Sequence, residues 1–183
     1  MRRMAVAVVL MLAAVAWPAV PGLAQAVQTA STAASVTAAS VRADFDNDGF
    51  ADLAVGVSSE DVGAIVDAGA VNVLHGSAGG LTGAGSQLFT QNSPELPDTA
   101  ETSDQFGRAV AVGDFDDDGI DDQTVGVPAE DVGAVFDAGA VNVLKGAAGG
   151  LTGSGSQQFT QDSPELPDTA EAGDLFGAAL AVQ

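Results

Sequence analysis

AGAVNVL occurs twice, at Ala68–Leu74 and again at Ala138–Leu144, seventy residues apart. Outward from these two runs, Asp44–Gly113 and Asp114–Gln183 align without a gap and are identical at about 50 of 70 positions. A second shared run, SPELPDTAE, covers Ser93–Glu101 and Ser163–Glu171. Identity this high means that one structural unit has been duplicated, and a unit of this size builds a solenoid or a propeller blade.

Inside each unit the pattern reads as strands. Ala109–Val112 is a short apolar run leading into an acidic turn; Asp52–Val57, Ala70–Leu74 and Gln87–Thr90 follow in their unit. Each is short, carries β-branched or aromatic residues and is bounded by glycine. Gly76–Gly85 reads as a glycine-rich hairpin connection, and Ser93–Asp104, with two prolines and four acids, as a longer loop. Four short strands per unit predict an all-β chain of four-stranded antiparallel blades. The expected organisation is blade 1 over residues 36–105, blade 2 over 106–175 and the truncated start of a third blade over 176–183. Propellers take about four to eight blades. The expectation is therefore an incomplete propeller, a piece of a longer protein, with edge completion by another chain as the alternative. By register Val36 and Thr37 stand where the second unit has Phe106 and Gly107, so the opening strand of blade 1 reads as degenerate.

Upstream, Arg2 and Arg3 precede the uncharged run Met4–Trp17, which Pro18, Pro21 and Gly22 break before Ala24-Gln25-Ala26. That is the pattern of a secretory signal peptide over residues 1–26, with cleavage expected after Ala26. The apolar run is too short to span a bilayer. An Ala/Ser/Thr-rich linker follows, over residues 27–35.

Beyond Ala26 only Arg42, Arg108 and Lys145 are basic, against 25 acids, a formal charge of about −22. Such a surface repels phosphate backbones and attracts cations, which argues against nucleic acid as a partner. An apolar fraction of 46% argues against disorder. With no cysteine, an exported chain must be held by metal or by repeat stacking rather than by disulfides.

The acids concentrate in two nine-residue loops, Asp44-Phe45-Asp46-Asn47-Asp48-Gly49-Phe50-Ala51-Asp52 and Asp114-Phe115-Asp116-Asp117-Asp118-Gly119-Ile120-Asp121-Asp122. Carboxylates at positions 1, 3, 5 and 9 of a tight loop converge, and glycine at position 6 permits the reversal, with a positive φ expected. Carboxylates so close repel one another unless a cation sits between them. An all-oxygen donor set selects a hard ion, and calcium accepts many protein ligands in irregular geometry. The candidate ligands are Asp44, Asp46, Asp48, the Phe50 carbonyl and Asp52, then Asp114, Asp116, Asp118, the Ile120 carbonyl and Asp122. An EF-hand would require a bidentate acid at position 12, where Val55 and Val125 stand.

Phe106-Gly107, then Gly113-Asp114-Phe115-Asp116-Asp117-Asp118-Gly119, then Gly126-Val127-Pro128 resemble the FG-GAP repeat. The resemblance covers nearly everything from Val36 to Gln183. It implies the propeller found at the head of integrin α subunits and in many bacterial secreted proteins, with Ca²⁺ held by the matching aspartates between the first two strands of each blade. Three features depart from the family. Gly56-Val57-Ser58 lacks the final proline, Val36-Thr37 lacks Phe-Gly, and Gln123 stands where the first unit has Leu53, which is expected to weaken that strand.

Nothing in the sequence assembles a reaction centre. There is no cysteine nucleophile, no G-x-S-x-G elbow and no phosphate-cradling G-x-x-x-x-G-K; Gly153-Ser154-Gly155-Ser156 reads as turn chemistry. His75, the sole histidine, has Lys145 as its repeat mate, and an exposed polar strand end accounts for both. Trp17 falls in the signal peptide, which removes the aromatic platforms usual for sugars. Glu60-Asp61 and Glu130-Asp131 read as solvated loop acids; in the resembling family, loops of this class meet the ligand, which makes these four the candidate partner surface. The expected function is that of a secreted, calcium-binding module for adhesion or extracellular interaction, not an enzyme. The alternative is an accessory propeller domain of a secreted, phospholipase-type hydrolase.

Overall fold

Strands form where valine and alanine alternate with small polar residues, and every connection turns on glycine, aspartate or proline. The computed structural model describes residues 43–182, and among them there is no helix. The signal peptide, the linker and the degenerate strand expected around Val36 lie outside the described residues. Seven strands make two antiparallel sheets. The first holds β1 (Leu53–Val57), β2 (Ala70–His75) and β3 (Thr82–Phe89) in that order. The second holds β4 (Val110–Gly113), β5 (Asp122–Val127), β6 (Ala140–Lys145) and β7 (Thr152–Phe159). This is an all-β meander of partial propeller blades, the expected fold class.

The outer strands start earlier than the sequence pattern predicts. Thr82 pairs with His75 and Val71 with Phe89, the register shifting between Val73 and His75. Thr152 pairs with Lys145 in the same way. The irregularity absorbs three surplus residues of the outer strand, so the end of the Gly76–Gly85 stretch is strand rather than connection. Glycine and alanine at positions 83–85 hide it from a pattern based on β-branched residues.

The core lies in the seam between the sheets. Val71, Val73 and Phe89 come from the first sheet, and Val125, Val127, Ala140 and Leu144 from the second, with Phe45 and Phe106 filling between them. Period-two alternation assigns the faces. The first sheet buries its row of Val71, Val73 and His75, whereas Val141 and Val143 of the second line an open apolar groove of about 470 Å³ with Phe115 and Phe159. Thus Phe45 is wholly buried while its repeat mate Phe115 is 46% exposed.

The Phe-Gly dipeptide stitches one sheet to the next. Phe106 N–H donates to Ala68 O, two residues before β2, at 2.9 Å, and Gly107 N–H to Gly126 O of β5 at 3.1 Å. Gly107 adopts φ +87°, and a Cβ placed on Gly56 would stand only 2.0 Å from Gly107 O. Two backbones touch here, and only glycine permits it. Gly126 and Gly177 repeat the contact with the same 2.0 Å separation.

A neutral clasp also closes the seam. The Gln87 amide donates to Leu151 O at 2.8 Å and accepts from Leu151 N–H at 2.9 Å. Gln123 is fully buried; its amide donates to Ala111 O at 2.9 Å, tying β5 to β4, and to Thr124 O at 2.7 Å within β5, while its Oε1 finds no hydrogen-bond partner.

Candidate metal centre

Each acidic loop is a self-bonded turn. Asp44 accepts from the N–H groups of Asp48 and Gly49, both at 3.0 Å; Asp46 accepts from Asp48 N–H at 3.1 Å, and Asp48 from Phe50 N–H at 2.8 Å. The second loop repeats all four bonds, from Asp118 and Gly119 to Asp114, from Asp118 to Asp116 and from Ile120 to Asp118. Gly49 and Gly119 take the expected positive φ, +85° and +89°. Asn47 and Asp117 also turn left-handed, at +56° and +58°, a conformation their short polar side chains tolerate.

This wrapping points carboxylates inward. One oxygen from each of Asp44, Asp46 and Asp48 lies within 4.8 Å of the others, and Asp114, Asp116 and Asp118 form the equivalent group. A carboxylate oxygen has a second lone pair, so a backbone N–H bond leaves capacity for a cation. The donor set is all oxygen and fits a hard divalent ion. Phe50 and Ile120, whose carbonyls are the other candidate ligands, are held over the loop by their own N–H bonds to Asp48 and Asp118.

The ninth residue is placed differently. Asp52 is buried, accepting from Phe45 N–H at 2.8 Å and from Gly76 N–H at 2.8 Å; it thereby ties the loop to the end of β2. Asp122 does the same with Phe115 and Gly146. Asp52 groups with Asp46 and His75 rather than with Asp44 and Asp48. His75 is 8% exposed, not the exposed strand end that its polarity predicts. Its place in the row of Val71 and Val73 was the available signal.

Beside the ninth acid the two copies carry different side chains, His75 in the first and Lys145 in the second. Lys145 extends its ammonium to Asp116 Oδ2 at 2.9 Å and to Asp122 Oδ2 at 3.1 Å. The hydrogen bond from Lys145 holds the Asp116 carboxyl below the usual carboxylate range, and Asp116 in turn raises the Lys145 ammonium. In the first loop burial, together with the neighbouring charges of Asp52 and Asp48, pushes the Asp46 carboxyl up. The same loop position is thus stabilised as an anion in one copy and disfavoured in the other.

Of the loop acids expected to form a partner surface, Glu60 and Asp61 are exposed and Asp131 is half-buried. Glu130 is not a surface residue: it is 4% exposed, in the seam, where Gln91 Nε2 donates to its Oε2 at 2.6 Å. The loop that follows β3, with Gln91 and Asp98, lies against it, which local sequence does not reveal.

A profile of the FG-GAP repeat matches residues 35–74, the span that holds the first acidic loop and β1–β2. The chain carries an FG-GAP repeat. The first acidic loop and Gly56, one partner of the touching glycines, lie inside the matched span. Phosphatidylinositol-glycan-specific phospholipase D of Mus musculus is 32% identical over 112 residues, 61% of this chain. Those residues are 13% of that protein, so the chain spans a small part of its relative. No helix among the described residues is long and apolar enough to cross a membrane.

Proposed function

We propose that the chain is a calcium-binding FG-GAP module that works outside the cell, in adhesion or in recognition of an extracellular ligand. One observation carries this reading. The same three carboxylates converge in both copies, on loops whose backbone is wrapped to aim them inward. Asp44, Asp46, Asp48 and the Phe50 carbonyl would hold Ca²⁺ in the first loop, and Asp114, Asp116, Asp118 and the Ile120 carbonyl in the second, with Asp52 and Asp122 completing the sets. The ion would cancel the repulsion within each cluster and fix the turn between successive strands. Glu60, Asp61 and Asp131 are the acids we assign to the partner surface.

The test is a calcium titration by calorimetry with parallel melting curves. Extracellular calcium modules bind at roughly 10⁻⁴ to 10⁻³ M. At free calcium about tenfold above the dissociation constant each site adds about 1.4 kcal/mol to folding. Chelator should lower Tm, and the Asp48→Asn/Asp118→Asn double variant should lose both the heat of binding and that shift. An unchanged melt in chelator would reject calcium.

The phospholipase relative supports a second reading, an accessory domain of a secreted hydrolase. Calcium-dependent co-sedimentation with vesicles containing a phosphatidylinositol-glycan would favour it. Capture by a matrix protein in the absence of lipid favours adhesion.

A further inference from the structure

We propose that His75, Asp46 and Asp52 form a mixed nitrogen–oxygen site, present in the first loop alone, for one borderline divalent cation such as Zn²⁺, and that Lys145 closes the equivalent place in the second loop. The proposal shares Asp46 and Asp52 with the calcium reading but goes beyond it in donor set and in metal.

His75 Nδ1 is buried and has no hydrogen-bond partner. It stands 3.4 Å from Asp46 Oδ2 and 3.6 Å from Asp52 Oδ1, with the three groups offering donors within 4.8 Å of one another. Zinc–nitrogen and zinc–oxygen bonds of about 2.0–2.2 Å give a tetrahedral donor–donor edge of about 3.3–3.6 Å. Both recorded edges fall in that range. They are long for a good hydrogen bond, so the arrangement suits an ion between the donors better than a proton. Asp52 is fixed by the N–H groups of Phe45 and Gly76, which orients its oxygens before any ion arrives. An imidazole nitrogen turns the selection away from calcium and towards zinc, copper and their neighbours. Two carboxylates and a neutral imidazole balance a dication. In the second loop the ammonium of Lys145 already contacts Asp116 and Asp122 and supplies no ligand.

Cobalt(II), a spectroscopic stand-in for zinc, would be titrated into the untagged chain without calcium and again with calcium added as a competitor for Asp46 and Asp52, with zinc then displacing it. One Co²⁺ per chain is expected, with visible absorption of low-symmetry nitrogen–oxygen coordination. His75→Lys copies what the second unit already carries, so the fold should survive, as circular dichroism would check. It should weaken Co²⁺ binding at least about tenfold, while Lys145→His adds a second site. Because His75 is the sole histidine, its imidazole resonances report directly on the wild-type chain and should shift on adding Zn²⁺. Unshifted resonances, or a His75→Lys chain that takes up Co²⁺ like the wild type, would overturn the assignment. A Lys145→His chain that stays at one ion would overturn the role given to that position. Calcium binding that fails while these signals appear would sink the calcium reading and leave this one standing.

Discussion

Glu130 and Asp98 face each other across the seam between the two sheets, Glu130 bonded by Gln91 and Asp98 by Gln158. Burial, then the hydrogen bond to Asp98, pushes the Glu130 carboxyl up to about 9. Asp98, although burial opposes it, is held below its ordinary value, chiefly by the hydrogen bond from Glu130. The acid donates, the carboxylate accepts, and Gln91 holds the other side of Glu130.

A pH dependence of defined sign follows. In the unfolded chain Glu130 loses its proton near its ordinary value of 4.5, and in the fold near 9. Between those values the folded state binds the extra proton, so stability is highest below the lower value and falls as pH rises through the window. Asp104, raised to about 6 mainly by burial, acts in the same direction up to its own value. Melting of the metal-free chain should therefore drop from pH 5 to pH 8.5. Glu130→Gln keeps a donor for Asp98 and an acceptor for Gln91 without needing a proton. Its Tm at pH 8 should exceed that of the wild type, with a flatter pH profile; parallel profiles would show that Glu130 holds no extra proton in the fold.

Gly107 sits at φ +87° with Ala70 O 2.6 Å from where a Cβ would be. Gly107→Ala should cost at least about 2 kcal/mol, from the left-handed backbone and the clash together. Gly49, equally left-handed, has open space around its Cβ position and should lose less on the same change. Urea unfolding of the two variants checks the order.

Lys145 neutralises Asp116 and Asp122 and so competes with calcium for them. Lys145→Gln should tighten calcium at the second loop by about tenfold, since a unit charge a few ångströms away is worth several kcal/mol before solvent screening. The first loop should be unaffected. Calorimetry on the variant would show two classes of site drawn apart, and a single unchanged isotherm would contradict the competition.

Gln87 satisfies the donor and the acceptor of Leu151 together. Gln87→Leu leaves two polar backbone groups without their partners in the seam. A loss of about 1–3 kcal/mol is expected, with faster hydrogen exchange at the Leu151 amide.

Much of this was legible in the sequence. The seventy-residue period, the positions of β1, β2, β4, β5 and β6, and the left-handed glycines of the acidic loops follow from spacing and residue type. What escaped is what one sheet does to the next. Glu60 and Glu130 occupy the same place in matching Glu-Asp-Val-Gly-Ala loops, yet one is exposed and the other buried, because only the second has part of the neighbouring unit, the loop after β3, packed against it. Phe45 and Phe115 diverge for the same reason. His75 and Lys145 were read as interchangeable polar ends, but burial next to two aspartates makes an imidazole and an ammonium chemically distinct. Thr82–Gly85 falls in the stretch whose pattern reads as a hairpin connection, because strand propensity is low in glycine and alanine; pairing with the end of β2 decides the matter instead.

Phe45 reaches its buried position under residues that the ribosome makes much later, and its carbonyl waits for the Ala147 amide. The first acidic loop is thus finished only after the first half of the following unit has emerged. During synthesis its phenyl ring stays wet until then, so completion of each turn trails the growing chain by one repeat. A pause between the two copies would leave a hydrophobic face open, and that interval is where misassembly with another nascent chain has its chance.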